Sequence, residues 1–526
     1  MALLDNHAIV AAIEEEKVQA ALQCDGVPQQ ALIRALDHTG VKLSDIECVG
    51  LSDCRPSSEP ACMCRAVGPS HFGGLAQLLK PGLSVTAFDH HLCHTSSAFY
   101  TSEYPRALVL SLDDGDGGHS GLISLGEGDD IKPLCALHTA NSLGWFYSRV
   151  TELIGFRAHR DEHKVQWLSK EGAPEFLPTF RKLFLRSAEG HPVLHRDYLV
   201  LEPCGRLTFS PKLYQELGLS KSAAPWDSAT RAAIASSAQA IIEELVLELA
   251  NRFGHETSTD ALCLSGGIFW NVLLVRALET RSKFSSVHVQ PVAGNPSTAI
   301  GAGFLARKKL SGRSGRAPFV SLALGPDFSS EHIKAVLDNC KIIYKYFSME
   351  EQLLRESCRL LLDDKIVAWC QGPAEFGHRA LGNRSILASP FSEYVIENLN
   401  HYVKHREVFH PFALSVPAER AFEFFDCGPN CHFMASLGSL ANTVPGLQRF
   451  AFNGNSVRAH TVEQRANPRF WKLLHEFGRS APAPILVNTS FNLFGEPLVT
   501  DPRGAVRSLY SAGIDALVIG SFLVIK

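Results

Sequence analysis

The sequence predicts an α/β protein. From residue 8 to about 310, short β-branched and apolar runs alternate with stretches whose apolar residues recur at helical spacing, the pattern of strands and crossover helices packed in layers. A composition of 45% hydrophobic and 20% charged residues is that of a chain able to build cores rather than a disordered one. At 526 residues, two large domains are expected rather than one small module.

The elements follow in order. Strands are predicted over 8–13 (AIVAAI), 46–51, 84–88, 107–112 (ALVLSL), 120–125, 261–264 and 287–290, each a strand-length run bounded by polar or turn residues. Helices are predicted over 28–38, 142–154 and 228–252. The last segment has apolar residues at helical spacing. Residues 309–318, KLSGRSGRAP, lack apolar periodicity and predict a surface linker, so the boundary falls between 1–315 and 316–526. A second α/β unit follows, ending in a strand.

Lys+Arg 50 against Asp+Glu 54 gives a net charge of -4, so no global attraction to nucleic acid or to an anionic membrane is expected, and an anionic ligand needs a local cluster. Asp5 and Glu14, Glu15 and Glu16 oppose a secretory leader, and the apolar runs are too short to span a bilayer, so a cytoplasmic location is expected. Fourteen cysteines without a framework agree with a reducing compartment. Cys62 with Cys64, and Cys427 and Cys431 with His432, lack the second cysteine pair of a zinc site.

In open α/β sheets ligands bind beyond the carboxyl ends of strands, and three such ends carry polar chemistry. After 107–112 come Asp113, Asp114, Gly115, Asp116, Gly117 and Gly118, which read either as a ligand loop or as an acidic turn. After 261–264 come Ser265, Gly266 and Gly267, where free N–H groups would cradle a phosphate; a tight strand-to-helix turn reads the same way. After 84–88 comes DHHLCH. If Asp89 caps a helix, His90 and His94 share one face and suit a divalent metal, with Asp113 as the completing carboxylate; a solvated face or a packed histidine is the other reading. In the second region QGPAEFGHRALGNRS brings Glu375, Arg379 and Arg384, followed by Lys404, Arg406 and His410, a set suited to phosphate or carboxylate unless it forms surface salt bridges. After 485–487, Asn488, Thr489, Ser490, Phe491 and Asn492 offer amides and hydroxyls able to orient a small carbonyl or amide.

HHLCHTSSAFY, LSLDDGDGG, NSLGWFYSRVTELIGF, SGGIFWN, EFGHRALGNRSILASP, VKHREVFHPFA and VNTSFNLFGEPLV resemble, in content and order, the NodU/CmcH family of O-carbamoyltransferases. The resemblance implies an actin-like, duplicated (ASKHA) transfer domain over 1–315 and a YrdC-like twisted-sheet domain over 316–526 that makes carbamoyl adenylate from ATP and carbamoyl phosphate. The acceptor is then a hydroxyl of a natural product or glycan, and a homodimer is compatible with this reading. By the same resemblance, Arg379, Lys404, His410, Arg458, Asn488 and Ser490 bind carbamoyl phosphate and the adenylate, with Arg379, Lys404 and Ser490 at the reacting centre. Lys164, Ser265, Gly266, Gly267 and Asn271 line the nucleotide, and His90, His94, Asp113 and Asn295 hold Fe(II), Mn(II) or Mg(II).

The chain departs from the family pattern in four places. Family members begin with an extra strand carrying a histidine–aspartate motif that supplies a base, whereas Met1 falls where the second strand of that hairpin would start, so that base has no expected counterpart. Asn295 replaces a metal-binding aspartate, which predicts a weakly held metal. His410 stands where an arginine is usual, and HKVQWLSKEG where the family reads closer to KVMGLA. A catalytically weakened binding or scaffold protein is therefore the competing expectation. Carbamoyl transfer for tRNA or metallocentre maturation lacks its zinc-finger and acylphosphatase-like signatures.

Overall fold

The structure, a computed structural model, describes every residue except 6–7, 23, 25, 54–63, 67–81, 117, 204, 221–225, 442–443 and 453, with the backbone alone at 64–66 and 116. Cys62 and Gly117 thus lie outside the described residues, as does the Cys64 side chain. The chain divides into two compact units: one holds Met1–Glu47 with Ala317–Lys526, and the other holds the strand Cys48–Asp53 with Ser84–Arg316.

In the second of these, a mixed five-stranded sheet runs in the order Ser286–Val289, Ala261–Ser265, Arg106–Asp116, His119–Glu127, Asp130–His138. The first three strands are parallel and the last two antiparallel. Residues 107–110 are fully buried, which explains why that central strand reads as an unbroken apolar run rather than an alternating one. Cys48–Asp53 pairs in parallel with Ser84–Asp89, and Cys64–Ala66 runs antiparallel beside the latter. The helix His90–Thr101 begins immediately after Asp89, whose carboxylate accepts the Leu92 N–H at 2.9 Å as the expected cap. It packs on Thr298–Ser311 so closely that a Cβ on Gly301 would overlap the Cys93 carbonyl.

The other unit is built on a ten-stranded mixed sheet. Its central strands run Ala516–Ile519, Val367–Cys370, Arg384–Ala388, Leu486–Ser490, Ala413–Pro417, Ser456–Val462. Trp369 is fully buried between this sheet and helices that include Glu350–Leu362 and Pro468–Phe477. The register sets Asn488, Ala413 and Arg458 side by side on neighbouring strands, and Ser385 opposite Ser490.

Three expectations need correction. The strand Asp130–His138 was not predicted: it contains Pro133 and lies at a sheet edge, where proline is tolerated and alternation is weak. The segment 309–318 is not a loose surface linker. Its start belongs to the helix ending at Ser311, Ser314 is fully buried, and the Asp129 carboxylate accepts the Ser314 hydroxyl at 2.6 Å and the N–H groups of Ser314 and Gly315. Finally, a single cut at residue 315 does not describe the compact units. The hairpin of Ala2–Leu4 and Ile9–Ala12 packs with 317–526, where the Ala12 N–H donates to the Leu324 carbonyl and the Thr500 hydroxyl to the Lys17 carbonyl.

Candidate functional site

In the unit containing Ser84–Arg316, one helical turn separates His90 from His94, and both rings turn their Nε2 atoms toward Asp113, at 3.6 and 3.2 Å from its Oδ2. The Nδ1 atoms meet hydroxyls, His90 at Ser52 (3.3 Å) and His94 at Ser265 (3.0 Å), which fixes the rings with Nε2 facing the carboxylate. Both histidines are buried, and their Nε2 atoms and Asp113 Oδ2 are turned toward one another away from solvent. Burial alone would raise the Asp113 carboxyl, but hydrogen bonds and charge from His90 and His94 outweigh it and hold it well below the usual carboxylate range. The three ligand atoms lie within 4.8 Å of one another, a donor set that fits a divalent cation. Asn295, exposed at the start of a short helical turn, reaches the His94 ring with its side chain.

The neighbouring glycine turn is built for close packing. Ser265 pairs with Ser111 across the parallel strands, a Cβ on Gly266 would overlap the Leu112 carbonyl, and one on Gly267 would lie 2.9 Å from Asp113 Oδ1. Gly266 needs its positive φ of 99°, and its N–H already donates to the Ala293 carbonyl at 2.7 Å, so it is not a free phosphate donor. Asn271 caps the helix Val272–Arg281 through the N–H groups of Leu273 and Leu274 and donates to Gln239 Oε1 at 2.7 Å. Lys164 sits 3.6 Å from Asp161 with its ammonium over the Phe156 ring. Two cavities open on this unit. One of about 170 Å³ includes Asp113, Ser120 and His191 in its wall; another of about 530 Å³ is lined by Trp145, Arg149, Glu152, His159 and Arg206. His159, at positive φ, places Nδ1 2.6 Å from Asp114, the neighbour of Asp113 in the chain.

In the unit containing Ala317–Lys526, the loop after Val367–Cys370 folds around Glu375. One of its carboxylate oxygens accepts the N–H groups of Leu381 (2.7 Å), Asn383 (2.9 Å) and Arg384 (3.1 Å). The Arg384 guanidinium donates to the carbonyls of Gln371, Gly372, Asn383 and Pro326. Glu375 and Arg384 therefore serve the loop itself, and Arg379 is the residue the loop presents.

Charged neighbours run from Arg379 to Arg458, from Arg458 to Arg406 and from Arg406 to Lys404, while Asn488 reaches the carbonyl next to Arg379 and Ser490 contacts Lys404. Burial, then the charge of Arg458, pushes the Arg379 guanidinium down; burial, Arg458 and the opposing Glu407 act on Arg406; burial lowers Arg458. Lys404 ends a helical turn and donates to the Ser490 carbonyl and hydroxyl at 2.9 and 3.0 Å and to Asn492 Oδ1 at 2.6 Å. Burial, then Arg406, lowers its ammonium to about 7. Asn488 Nδ2 donates to the Ala380 carbonyl beside Arg379 and to Ser415, while its buried Oδ1 has no partner. Arg379 Nε and Arg406 Nη2 likewise have none. His410 is buried 3.6 Å from Glu407. Arg406 belonged to the anion-binding set read from sequence, though not to the residues implied by the family resemblance; the His460–Ser415 pair (2.8 Å) beside Asn488 was not expected, and nothing local marked it.

Family models for the carbamoyltransferase N-terminus and C-terminus match residues 74–304 and 358–526. Nodulation protein NolO of Bradyrhizobium diazoefficiens is 30% identical over 83% of this chain and 79% of its own. The chain belongs to the carbamoyltransferase family. It is a transferase, and the same similarity extends to nodulation protein NolNO of Sinorhizobium fredii, 28% identical over the whole chain and 78% of that protein. A 3'-hydroxymethylcephem-O-carbamoyltransferase of Amycolatopsis lactamdurans is 32% identical over 30% of each chain. Among solved structures, full-length HypF in its phosphate- and nucleotide-bound form covers 47% of this chain and 46% of its own at 15% identity and a TM-score of 0.27, too distant to bear on function.

The lowered Lys404 sets a proton balance for this carbamoyltransferase. A charged Lys404 weighs against folding below about pH 7, and that cost fades as pH rises toward the ordinary lysine range, because the unfolded chain binds the extra proton there. An anion placed in the cluster would restore the charge. Phosphate binding at pH 8 will take up as much as about one proton per site, read by calorimetry in buffers of different ionisation enthalpy. Lys404→Met will remove that uptake; an uptake unchanged in the variant would move it to another group.

Proposed function

We propose that the chain is an ATP-dependent O-carbamoyltransferase that moves the carbamoyl group of carbamoyl phosphate, through carbamoyl adenylate, to a hydroxyl of a small natural product or glycan. The observation that carries this reading is the cation cluster of Arg379, Lys404, Arg406 and Arg458, with Lys404 buried and the three arginines half-buried, opposed by Glu407, and with an unpartnered amide oxygen on Asn488 beside it. Several positive charges partly withdrawn from water in one place are costly unless an anion completes them. A phosphate answers the guanidinium groups, and a carbamoyl NH2 answers Asn488 Oδ1; carbamoyl phosphate carries both. A hydroxyl acceptor accords with the hydroxymethyl named for the cephem relative.

The reaction we propose balances in three steps. Water takes the phosphoryl group from carbamoyl phosphate, releasing phosphate and carbamate. A carbamate oxygen then attacks the α-phosphorus of ATP, and pyrophosphate leaves. The acceptor oxygen finally attacks the carbamoyl carbon, AMP leaves, and the hydroxyl proton passes to a base. Carbamate alone is a poor electrophile, whereas its mixed anhydride with AMP has a good leaving group, which is why activation precedes transfer. Arg379, Arg406 and Arg458 hold phosphate oxygens, Lys404 and Ser490 keep the reacting group in place, and Asn488 orients the carbamoyl amide. We assign activation to a YrdC-like domain in 317–526 and transfer to an actin-like, duplicated domain in the other unit. Ser265, Gly267 and Lys164 lie toward the nucleotide there, and the cavity of about 530 Å³ beside His159 takes the acceptor.

His90, His94 and Asp113 would hold a divalent ion, Fe(II), Mn(II) or Mg(II), with Asn295 as a neutral fourth ligand. When bound, it supplies positive charge to a phosphate or leaving oxygen.

Two measurements test these proposals. Labelled pyrophosphate will exchange into ATP only when carbamoyl phosphate is present, and Arg379→Ala will weaken carbamoyl phosphate binding by about 1.5 to 3 kcal/mol. No exchange at saturating substrates would favour the binding or scaffold reading, for which Asn295 in place of a carboxylate is the supporting observation. For the metal, calorimetry with Mn(II) and Fe(II) will find weak binding that strengthens in Asn295→Asp and vanishes in His90→Ala. Tight binding indifferent to both substitutions would sink the assignment.

A further inference from the structure

The buried polar groups with no place in the reaction above include an ion pair from the first twenty residues. Lys17, 3% exposed, pairs with Glu14 at 3.0 Å, and both reach the loop that carries Arg379. The Lys17 ammonium donates to the carbonyls of Glu375 (2.6 Å) and Gly377 (2.5 Å), and Glu14 Oε1 accepts the Gly377 N–H at 2.5 Å. The segment is itself anchored, because the Thr500 hydroxyl donates to the Lys17 carbonyl.

From these contacts we infer that Glu14 and Lys17 are positioning residues for Arg379. The backbone on the N-terminal side of Arg379 is pinned at 375 and 377 by the Glu14–Lys17 pair. On the C-terminal side it is pinned at 380 by Asn488 Nδ2, and at 381, 383 and 384 by the Glu375 carboxylate. His378 and Arg379 are what the two clamps leave between them. Gly377 holds a φ of 92°, a left-handed conformation that glycine adopts freely, so the peptide needs outside contacts to stay in it. A buried ion pair is a weak source of stability, and an apolar pair of similar volume often replaces it at no cost to the fold. Its use here is geometric: two carbonyls and one N–H of a short loop are satisfied by charged groups from a segment some 360 residues earlier.

The inference rests on the proposed binding of carbamoyl phosphate near Arg379, and the test separates the two. Calorimetric affinities for carbamoyl phosphate and for ATP, with the corresponding KM values in pyrophosphate exchange, are compared in the full-length wild type, Lys17→Met, Lys17→Arg and the double variant Glu14→Leu/Lys17→Met. The double variant leaves no orphan charge and so keeps the fold even if Lys17→Met alone does not. Loss of the clamp will weaken carbamoyl phosphate about 10- to 100-fold with little change for ATP, as expected of a displaced binding group. Lys17→Arg will recover most of the loss, and hydrogen exchange at the Gly377 amide will quicken in the variants. Unchanged carbamoyl phosphate affinity in a folded double variant would overturn the inference, as would equal losses for both ligands. A wild type that does not bind carbamoyl phosphate at all would instead overturn the proposed function.

Discussion

Concentrating positive charge in a partly buried place is the constraint on which the Ala317–Lys526 unit depends. Arg379, Lys404, Arg406 and Arg458 depress one another or are depressed by burial, with Glu407 opposing at Arg406. Such a cluster survives folding only if the backbone around it is fixed by other means. The wide mixed sheet supplies part of that rigidity by setting Arg458, Ala413 and Asn488 in register. Glu375 and Arg384 supply more by spending their charges on loop backbone. An anion bound there would offset the cost of bringing the cations together.

The His90, His94 and Asp113 group follows the opposite logic. There a carboxylate oxygen and two imidazole nitrogens face one another, with hydroxyls of Ser52 and Ser265 orienting the rings from behind. The helix that carries the histidines is placed by close backbone contacts at Gly301, and the turn that carries Asp113 by those at Gly266. Small residues at these positions set the distance between elements, so the donor geometry is fixed before any ion arrives.

Much of this was legible in the sequence because local rules coincide with tertiary ones. Asp89 caps the helix it was expected to cap, and that placed His90 and His94 on one face without knowledge of the fold. Central strands such as 107–112 announced themselves by continuous apolar runs. What the sequence hid depended on distant partners. SGG reads equally as a phosphate cradle and as a turn until the Gly266 N–H is seen to donate to Ala293. Asn271 is chemically suited to a ligand, yet a helix N-terminus takes its oxygen. Glu375 and Arg384 looked like ligand groups because charge clusters in both cases; only the backbone geometry distinguishes a charge that holds a loop from one that faces a substrate. The association of Met1–Glu47 with 317–526 has no local signature, since Lys17 and its acceptors are more than 350 residues apart.

The central claim is that the cation cluster is the seat of the carbamoyl donor. Its most direct test is an experimental structure determined with carbamoyl phosphate bound. The account predicts phosphate density within hydrogen-bonding distance of Arg379 and Arg458, with the carbamoyl amide against Asn488. Density for the donor at another place on the chain, with the guanidinium groups of the cluster facing solvent alone, would contradict it.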